Sequence, residues 1–328
     1  VDRTKFSAVL AAGLLVATGL AQAAAKKEAA PVTLDRAALL KLADDYFAAL
    51  AAHDPKKVPF AADAKFVQNV KRTPVGEGLW QTASSPVTAF KIVIPDPVSQ
   101  QVGGIVVLGS DGKPVQLGFR LKVVDGKITE AEHLVQGSRD GSLSPNLQAV
   151  RPGIPLEVPY EYADSRGRMV HIAKSYYDAL DNNNGYLAPF APDCERRENG
   201  MRTAPSGGAA GGGAPGAPRG PQLLGMQDCT SQISSGAFQY ITTIENRRVE
   251  IADPVTGLAM GFSHFHHLMT QKKFRILNNP GREEADMSNQ RAFDMPALHI
   301  YKIWGGQIHE IEALGVLDVP LNSPTGWE

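Results

Sequence analysis

Residues 59–73 read PFAADAKFVQNVKRT, and residues 189–203 read PFAPDCERRENGMRT. Seven of the fifteen aligned positions are identical: Pro59/Pro189, Phe60/Phe190, Ala61/Ala191, Asp63/Asp193, Asn69/Asn199, Arg72/Arg202 and Thr73/Thr203. Upstream, the same offset of 130 lays ADDYFAAL (43–50) over AKSYYDAL (173–180). Downstream the offset grows. IPDPVSQQVGG (94–104) lies over IADPVTGLAMG (251–261), and DGKITEAE (125–132) over GGQIHEIE (305–312). Preserved order with a growing offset marks one domain that was duplicated, the second copy having gained insertions. Two copies make a pair of domains, because a solenoid needs three or more stacked units.

Each copy opens on a helix. Leu39, Leu42, Ala43, Tyr46, Phe47 and Leu50 recur at helical spacing, with Thr33 as the expected cap. Met169, Ala173, Tyr176, Tyr177 and Leu180 repeat the stripe, and these aromatics read as core. His53-Asp54-Pro55 and Asp181–Gly185 end the two helices. Strand signals follow at Phe90–Ile94, Gly104–Leu108, Val115–Val124 and Ile128–Val135, then at Arg247–Ile251, Ala259–His267, Ala297–Trp304 and Ile308–Gly315. Asp111-Gly112, Asp125-Gly126 and Gly305-Gly306 are hairpin turns. Helices followed by antiparallel strands give an α+β class. The expected domains are 33–137 and 166–320, joined by a linker at 138–165. The second carries a Gly-rich insertion at 204–225 and a polar one at 270–290.

The N-terminus predicts a signal peptide over residues 1–24. Arg3 and Lys5 start it, Phe6–Leu20 is apolar, and Ala21-Gln22-Ala23 supplies the small-x-small cleavage pattern. A membrane anchor competes with that reading, but the run is short for a bilayer and no second one follows. The expected location is periplasmic or secreted, with no membrane attachment after cleavage. An oxidising compartment makes Cys194 and Cys229 a disulfide, and they lack the Cys-x-x-Cys spacing of a reactive thiol pair. Net charge is −1, so there is no basic footprint for nucleic acid.

A helix, then Pro-Phe-Ala-x-Asp, then a curved antiparallel meander resembles the nuclear-transport-factor-2-like, or SnoaL-like, superfamily. The second copy is similar to a secreted fungal and bacterial group through Asp193-Cys194, Glu198-Asn199-Gly200, Cys229, Gln232, Gly236, Phe238, Tyr240-Ile241, Arg247-Arg248, Asp253 and Phe265-His266-His267. The resemblance implies two cone-shaped domains, each a bent sheet closed by helices around a cavity. Relatives include isomerases, dehydratases, cyclases and members that only bind. Sheet-to-sheet dimers of that superfamily imply that two fused copies form a pseudo-dimer within one chain, with further oligomerisation left open.

The second copy is chemically richer. It has Glu198 where the first has Gln68, and His264 to His267 where the first has Val107-Leu108-Gly109. The asymmetry makes the first copy a structural partner and puts the pocket in the second; drift on two inactive scaffolds is the competing reading. Strand alternation puts His264 and His266 on one face, with His299 and Tyr301 sharing a face of the neighbouring strand and expected opposite them. Those three imidazoles, with Glu198 or Asp193, would suit zinc. Acid–base catalysis without metal or cofactor is more economical. Glu198, His264 and His266 are then the catalytic candidates. Asn199, Arg202, Tyr240, His299 and Tyr301 are candidates for holding substrate. Arg202 repeats Arg72, so an ion pair to the repeated Asp63/Asp193 competes with anion binding. Glu310 and Glu312 repeat Glu130 and Glu132 and read as structural. The expected function is an exported, cofactor-independent lyase or isomerase acting on a small apolar or aromatic molecule in the second cavity. The alternative is a non-catalytic module that binds a small molecule or a protein.

Overall fold

The structure is a computed structural model of the 328-residue chain. It describes residues 31–137, 141–205, 227–279, 283–317 and 319–328. The expected signal peptide and nearly all of the Gly-rich insertion lie outside the described residues. Val32–Glu328 form one compact unit. No helix among the described residues is long and apolar enough to cross a membrane.

Helix α1 spans Arg36–Ala51 and buries the predicted stripe, Leu39 through Leu50. Its cap is Asp35, not Thr33: the Asp35 carboxylate accepts from Ala38 N at 2.8 Å, which satisfies an amide that has no partner inside the helix. In the second copy α3, Arg166–Asp181, is capped by Ser165 and buries Met169, Ala173, Tyr176, Tyr177 and Leu180. His53 and Asn183 take positive φ just past the two helix ends.

The first copy continues with β1 (Phe60–Gln68), β2 (Lys71–Arg72), a short α2 (Leu79–Thr82), β3 (Ala83–Ser85), β4 (Lys91–Asp96), β5 (Gln101–Ser110), β6 (Lys113–Val124) and β7 (Lys127–Gly137). Its sheet order is β2-β1-β7-β6-β5-β3, with β4 also on β5. The second copy has β8 (Phe190–Glu198), β9 (Met201–Ala204), α4 (Cys229–Ser234), β10 (Thr243–Asp253), β11 (Leu258–His267), β12 (Lys273–Arg275), β13 (Glu284–Asp286), β14 (Phe293–Trp304) and β15 (Gln307–Gly315). Its order is β10-β11-β14-β15-β8-β9, and the polar insertion forms the separate β12–β13 hairpin. Both sheets are mixed rather than wholly antiparallel, since β1 runs parallel to β7 and β8 parallel to β15. The cause is the order of the chain. The strand that leaves each helix enters before the meander, and the last meander strand returns beside it. The three predicted turns have positive φ at both central residues, as tight hairpins on twisted strands require.

Alternation along the strands sorts the core into three layers. Inward residues of the second sheet, Ala259, Phe265, Tyr301 and Ile311, pack against α3. Phe66, Phe119 and Ala131 do the same under α1. The outward faces meet each other: Ile92, Ile94, Ile105 and Val107 of the first sheet pack on Leu258, Met260, Phe262, Leu298 and Ile300 of the second. Gly103 and Gly118 let the sheets approach. A Cβ on Gly103 would stand 2.3 Å from Met260 Cε, and one on Gly118 would stand 3.1 Å from Leu298 Cδ1.

Two ion pairs show the pseudo-symmetry. Arg36 of α1 reaches across to Asp253 at 2.8 Å, and Arg166 of α3 reaches back to Asp96 at 2.7 Å. Both carboxylates are buried. They are the aligned aspartates of the two IxDPV repeats, so each copy gives its helix-start arginine to the other. The chain is α+β, two tandem cone-like domains back to back as an intrachain pseudo-dimer.

Candidate functional site

The concave interior of the second copy is packed. Tyr176 and Tyr177 of α3 meet His299 and Tyr301 of β14, all buried. Arg196 of β8 enters this space. Its Nε donates to Tyr176 Oη at 2.7 Å, its Nη1 to Gln232 Oε1 at 2.9 Å, and its Nη2 pairs with Glu198. The Cys194–Cys229 disulfide, Cα–Cα 6.0 Å, ties β8 to α4 and so sets Gln232 beside Arg196. Burial works against the Arg196 charge, but Glu198 and Tyr176 outweigh it and its pKa rises. Burial, and then the Arg196 charge, push His299 down to about 3, so its imidazole is neutral. Tyr177 Oη lies 3.5 Å from His299 Nδ1 and donates to Gly261 O at 3.3 Å. Tyr240 stacks on His267, centroids 5.5 Å apart, and on Phe274 of the β12–β13 hairpin. Glu198 stands at the edge of this layer, its side chain 37% exposed.

The structure does not bring the expected catalytic set together. His264 and His266 do share a face, with ring centroids 4.8 Å apart. That face is the outer one, shared with Leu258, Met260 and Phe262. His299 pairs in register with Gly261, an inward position, and Tyr301 with Ala259. Hence His299 and Tyr301 point into the cone and His264 and His266 away from it. The zinc set His264, His266 and His299 is divided by the sheet for the same reason. Asn199 has a structural task. At φ 47° it turns the chain, accepts from Gly315 N at 3.0 Å and donates to Gly315 O at 3.1 Å. Asn69 does the same with Val135 in the first copy. Arg202 is exposed on β9, and Asp193 pairs with His309 instead, at 2.7 Å.

The large opening lies on the outer face of the second sheet, beyond the contact between copies. It is a cleft of about 800 Å³. Leu156, Val158, Pro159, Tyr162 and Trp304 form an apolar side, and Arg151, Glu195, Arg197, Lys302 and Glu310 a charged one. The segment between the copies roofs it and is held by Lys302, whose Nζ donates to Leu156 O at 2.5 Å and Ile154 O at 3.3 Å, and also to Thr256 O of the β10–β11 turn at 2.7 Å. Burial lowers the Lys302 pKa, partly opposed by Glu310 and Asp253. Arg151 lies 3.0 Å from Glu310, 3.2 Å from Glu312 and 3.5 Å from Glu195. Burial raises the Glu310 pKa against the pull of Arg151. At the rim the His309 ring stacks on Trp304 at 3.6 Å while its Nδ1 meets Asp193.

Sequence reasoning missed this cleft because Arg151 lies in a stretch read as linker. Glu310 was set aside because it repeats Glu130. The useful signal was at Trp304 and His309, where the first copy has Val124 and Thr129. His133, buried inside the first cone with Nε2 2.9 Å from Tyr46 Oη, also went unnoticed. Burial pushes it down to about 3. The first copy is therefore not without an interior imidazole.

Two α+β cones fused back to back, with a disulfide in the second and a cleft outside it, define a tandem-domain protein of duplicated origin. The chain belongs to the family described as domain of unknown function (DUF8021), whose profile matches residues 33–135 and 162–315. No curated protein matches it. Solved structures to which the chain is similar include SnoaL-like and NTF2-like proteins. A candidate polyketide cyclase from Xanthomonas campestris pv. campestris is 13% identical, with TM-score 0.28, over 45% of this chain and 90% of its own. A candidate ketosteroid isomerase from Kribbella flavida is 17% identical, with TM-score 0.25, over 37% and 90%. An NTF2-like protein from Burkholderia thailandensis is 13% identical, with TM-score 0.25, over 45% and 89%.

Proposed function

We propose that this protein is an exported, cofactor-independent lyase or isomerase whose working site is the outer cleft of the second copy. Its substrate is a small molecule with a planar apolar body and a polar or charged head. The observation that carries the reading is the cleft itself. An apolar wall with Tyr162 and Trp304 faces a charged wall in which the Glu310 carboxyl is held above its ordinary pKa by burial. A concave site with an apolar wall and a perturbed carboxyl is where small-molecule chemistry is expected. Glu310 is the proton-transferring group, Trp304 and Tyr162 stack the ligand, and Arg151 holds the head. The disulfide supports export, since such bonds persist in oxidising compartments.

The test is a ligand search with the full chain by native mass spectrometry against a library of small aromatic and alicyclic acids and ketones. Hits are then followed for conversion. Trp304→Ala should weaken retention by about tenfold or more, a loss of roughly 1.4 kcal/mol. Glu310→Gln should lower turnover by about 10²-fold while leaving binding in place. Ligands that bind equally well to both variants would put the site elsewhere. Binding with no conversion in any case would make the protein a carrier, the non-catalytic alternative.

A further inference from the structure

His264 and His266, divided by the sheet from the cone interior, have a partner the cone does not supply. Asp294 of β14 stands directly opposite His266 in the β11–β14 pairing. His266 Nδ1 lies 2.7 Å from Asp294 Oδ1, and His264 Nε2 lies 3.4 Å from Asp294 Oδ2. One ligand atom from each of the three residues falls within 4.8 Å of the others. Two ligand atoms bound to one tetrahedral ion at about 2.0–2.1 Å stand about 3.3–3.4 Å apart, close to the His264–Asp294 spacing.

The site is buried: the His264 side chain is 3% exposed and that of Asp294 0%. Yet His264 Nε2 and His266 Nε2 have no hydrogen-bond partner. A buried polar atom left so costs free energy and calls for an occupant. Exposed Glu245 of β10 lies beyond the three, its Oε2 3.6 Å from His266 Nε2, the ring nitrogen turned away from Asp294. In the first copy the aligned positions hold Val107, Gly109, Pro114 and Thr88. There Gly109 pairs with Pro114 in the same register that pairs His266 with Asp294. The scaffold forms without these side chains, so the fold alone does not explain them.

We propose that the second copy binds one divalent transition-metal ion of the zinc class through His264, His266 and Asp294. Imidazole and carboxylate together suit Zn²⁺ and its first-row neighbours. Asp294 N donates to Val319 O, and Asp294 Oδ2 accepts from Ser323 N, both at 2.9 Å. Asp294 thus joins the candidate site to residues 319–323 of the C-terminal segment.

The experiment uses the full chain, stripped with chelator and titrated with Zn²⁺ and with Co²⁺. One ion should bind per chain, Co²⁺ should show tetrahedral d–d absorption, and Zn²⁺ should raise the melting temperature. His264→Gln and Asp294→Asn should each weaken Zn²⁺ by more than about tenfold and abolish the thermal shift. Should Asp294→Asn fail to fold, His264→Gln decides alone, because its position tolerates Val107 in the first copy. Substoichiometric uptake by the wild type, or wild-type affinity in folded His264→Gln, would overturn the proposal. Zn²⁺ affinity is read without reference to Glu310 or Trp304, so this outcome and that of the cleft are independent.

Discussion

Glu132 and Glu312 occupy the same place in the two copies and live in different company. Glu132 meets two guanidiniums: Arg120 of its own sheet at 3.2 Å, and Arg248 of the other copy through both oxygens, at 2.6 and 3.0 Å. Glu312 has one direct ion pair, with Arg151 at 3.2 Å, while Arg197 turns to Glu195 at 2.6 Å. Burial then pushes Glu312 up to about 7, against Arg151 and Arg197. Trp327 lies over Arg72 and Arg120 of the first copy, 5.4 and 5.1 Å from ring centre to guanidinium carbon. The inter-copy segment arches over the second copy and leaves the cleft beneath it. The first outer face is neutralised and covered. The second keeps carboxyls that are not fully matched, and burial raises the pKa of both Glu312 and Glu310.

The strongest test of the symmetry is at the exchanged arginines. Asp96→Ala and Asp253→Ala should each cost about 3–4 kcal/mol in urea unfolding: each removes an ion pair to a part-exposed arginine of the other copy together with hydrogen bonds from Ala252, Val98 and Ser99 N, or from Val255 N and Thr256 Oγ1. A large loss from one and none from the other would break the pseudo-twofold reading. Next comes a feature of the second copy alone. Replacing both Cys194 and Cys229 by Ser should cost about 3–4 kcal/mol for a loop of this length in the chain-entropy model. Unchanged stability would mean the bond does not form in the mature protein.

Glu312→Gln should then set the copies apart by sign. Its folded pKa of about 7 exceeds the ordinary 4.5. Between those values the folded state holds a proton that the unfolded chain has released. The associated stability is complete below about pH 4.5 and is lost as pH rises through 7. Glu312→Gln should flatten that slope and gain up to about 3 kcal/mol relative to wild type above pH 7. Glu132→Gln should instead destabilise by about 2 kcal/mol at pH 7, since two arginines lose their shared partner. Chemical denaturation across pH 4–9 reads both. The smallest effects belong to the repeated Arg72 and Arg202. Arg72→Ala should cost about 0.5–1 kcal/mol through Trp327, and exposed Arg202→Ala less than about 0.5 kcal/mol.

The duplication, the helices, the α+β class and the strand positions were legible because periodicity and turn residues report local structure. Asp111-Gly112 and Gly305-Gly306 can hardly do anything but turn. The disulfide was legible because only two cysteines exist. The face of His264 was not. Alternation says that His264 and His266 travel together, but which side of the sheet faces α3 depends on pairing with residues dozens of positions away. Asp294 was invisible for the same reason, since only the β11–β14 register brings it to His266. The cleft depended on where a segment without regular structure comes to rest, and Lys302 fixes that through two of its backbone carbonyls, Ile154 O and Leu156 O, which any sequence could supply.

Arg151, carried by the inter-copy segment, does for Glu312 what Arg120 does for Glu132 from within its own sheet. In a homodimer every substitution appears twice, so an imidazole set at the position of Gly109 would enter both subunits and both would have to tolerate it. One chain written as two halves escapes that rule. Its joint is intramolecular and does not loosen on dilution. Each half can also be altered while the other stays as it was. The glycine at position 109 and the histidine at position 266 record such independence, one half keeping the plain scaffold while the other carries an imidazole.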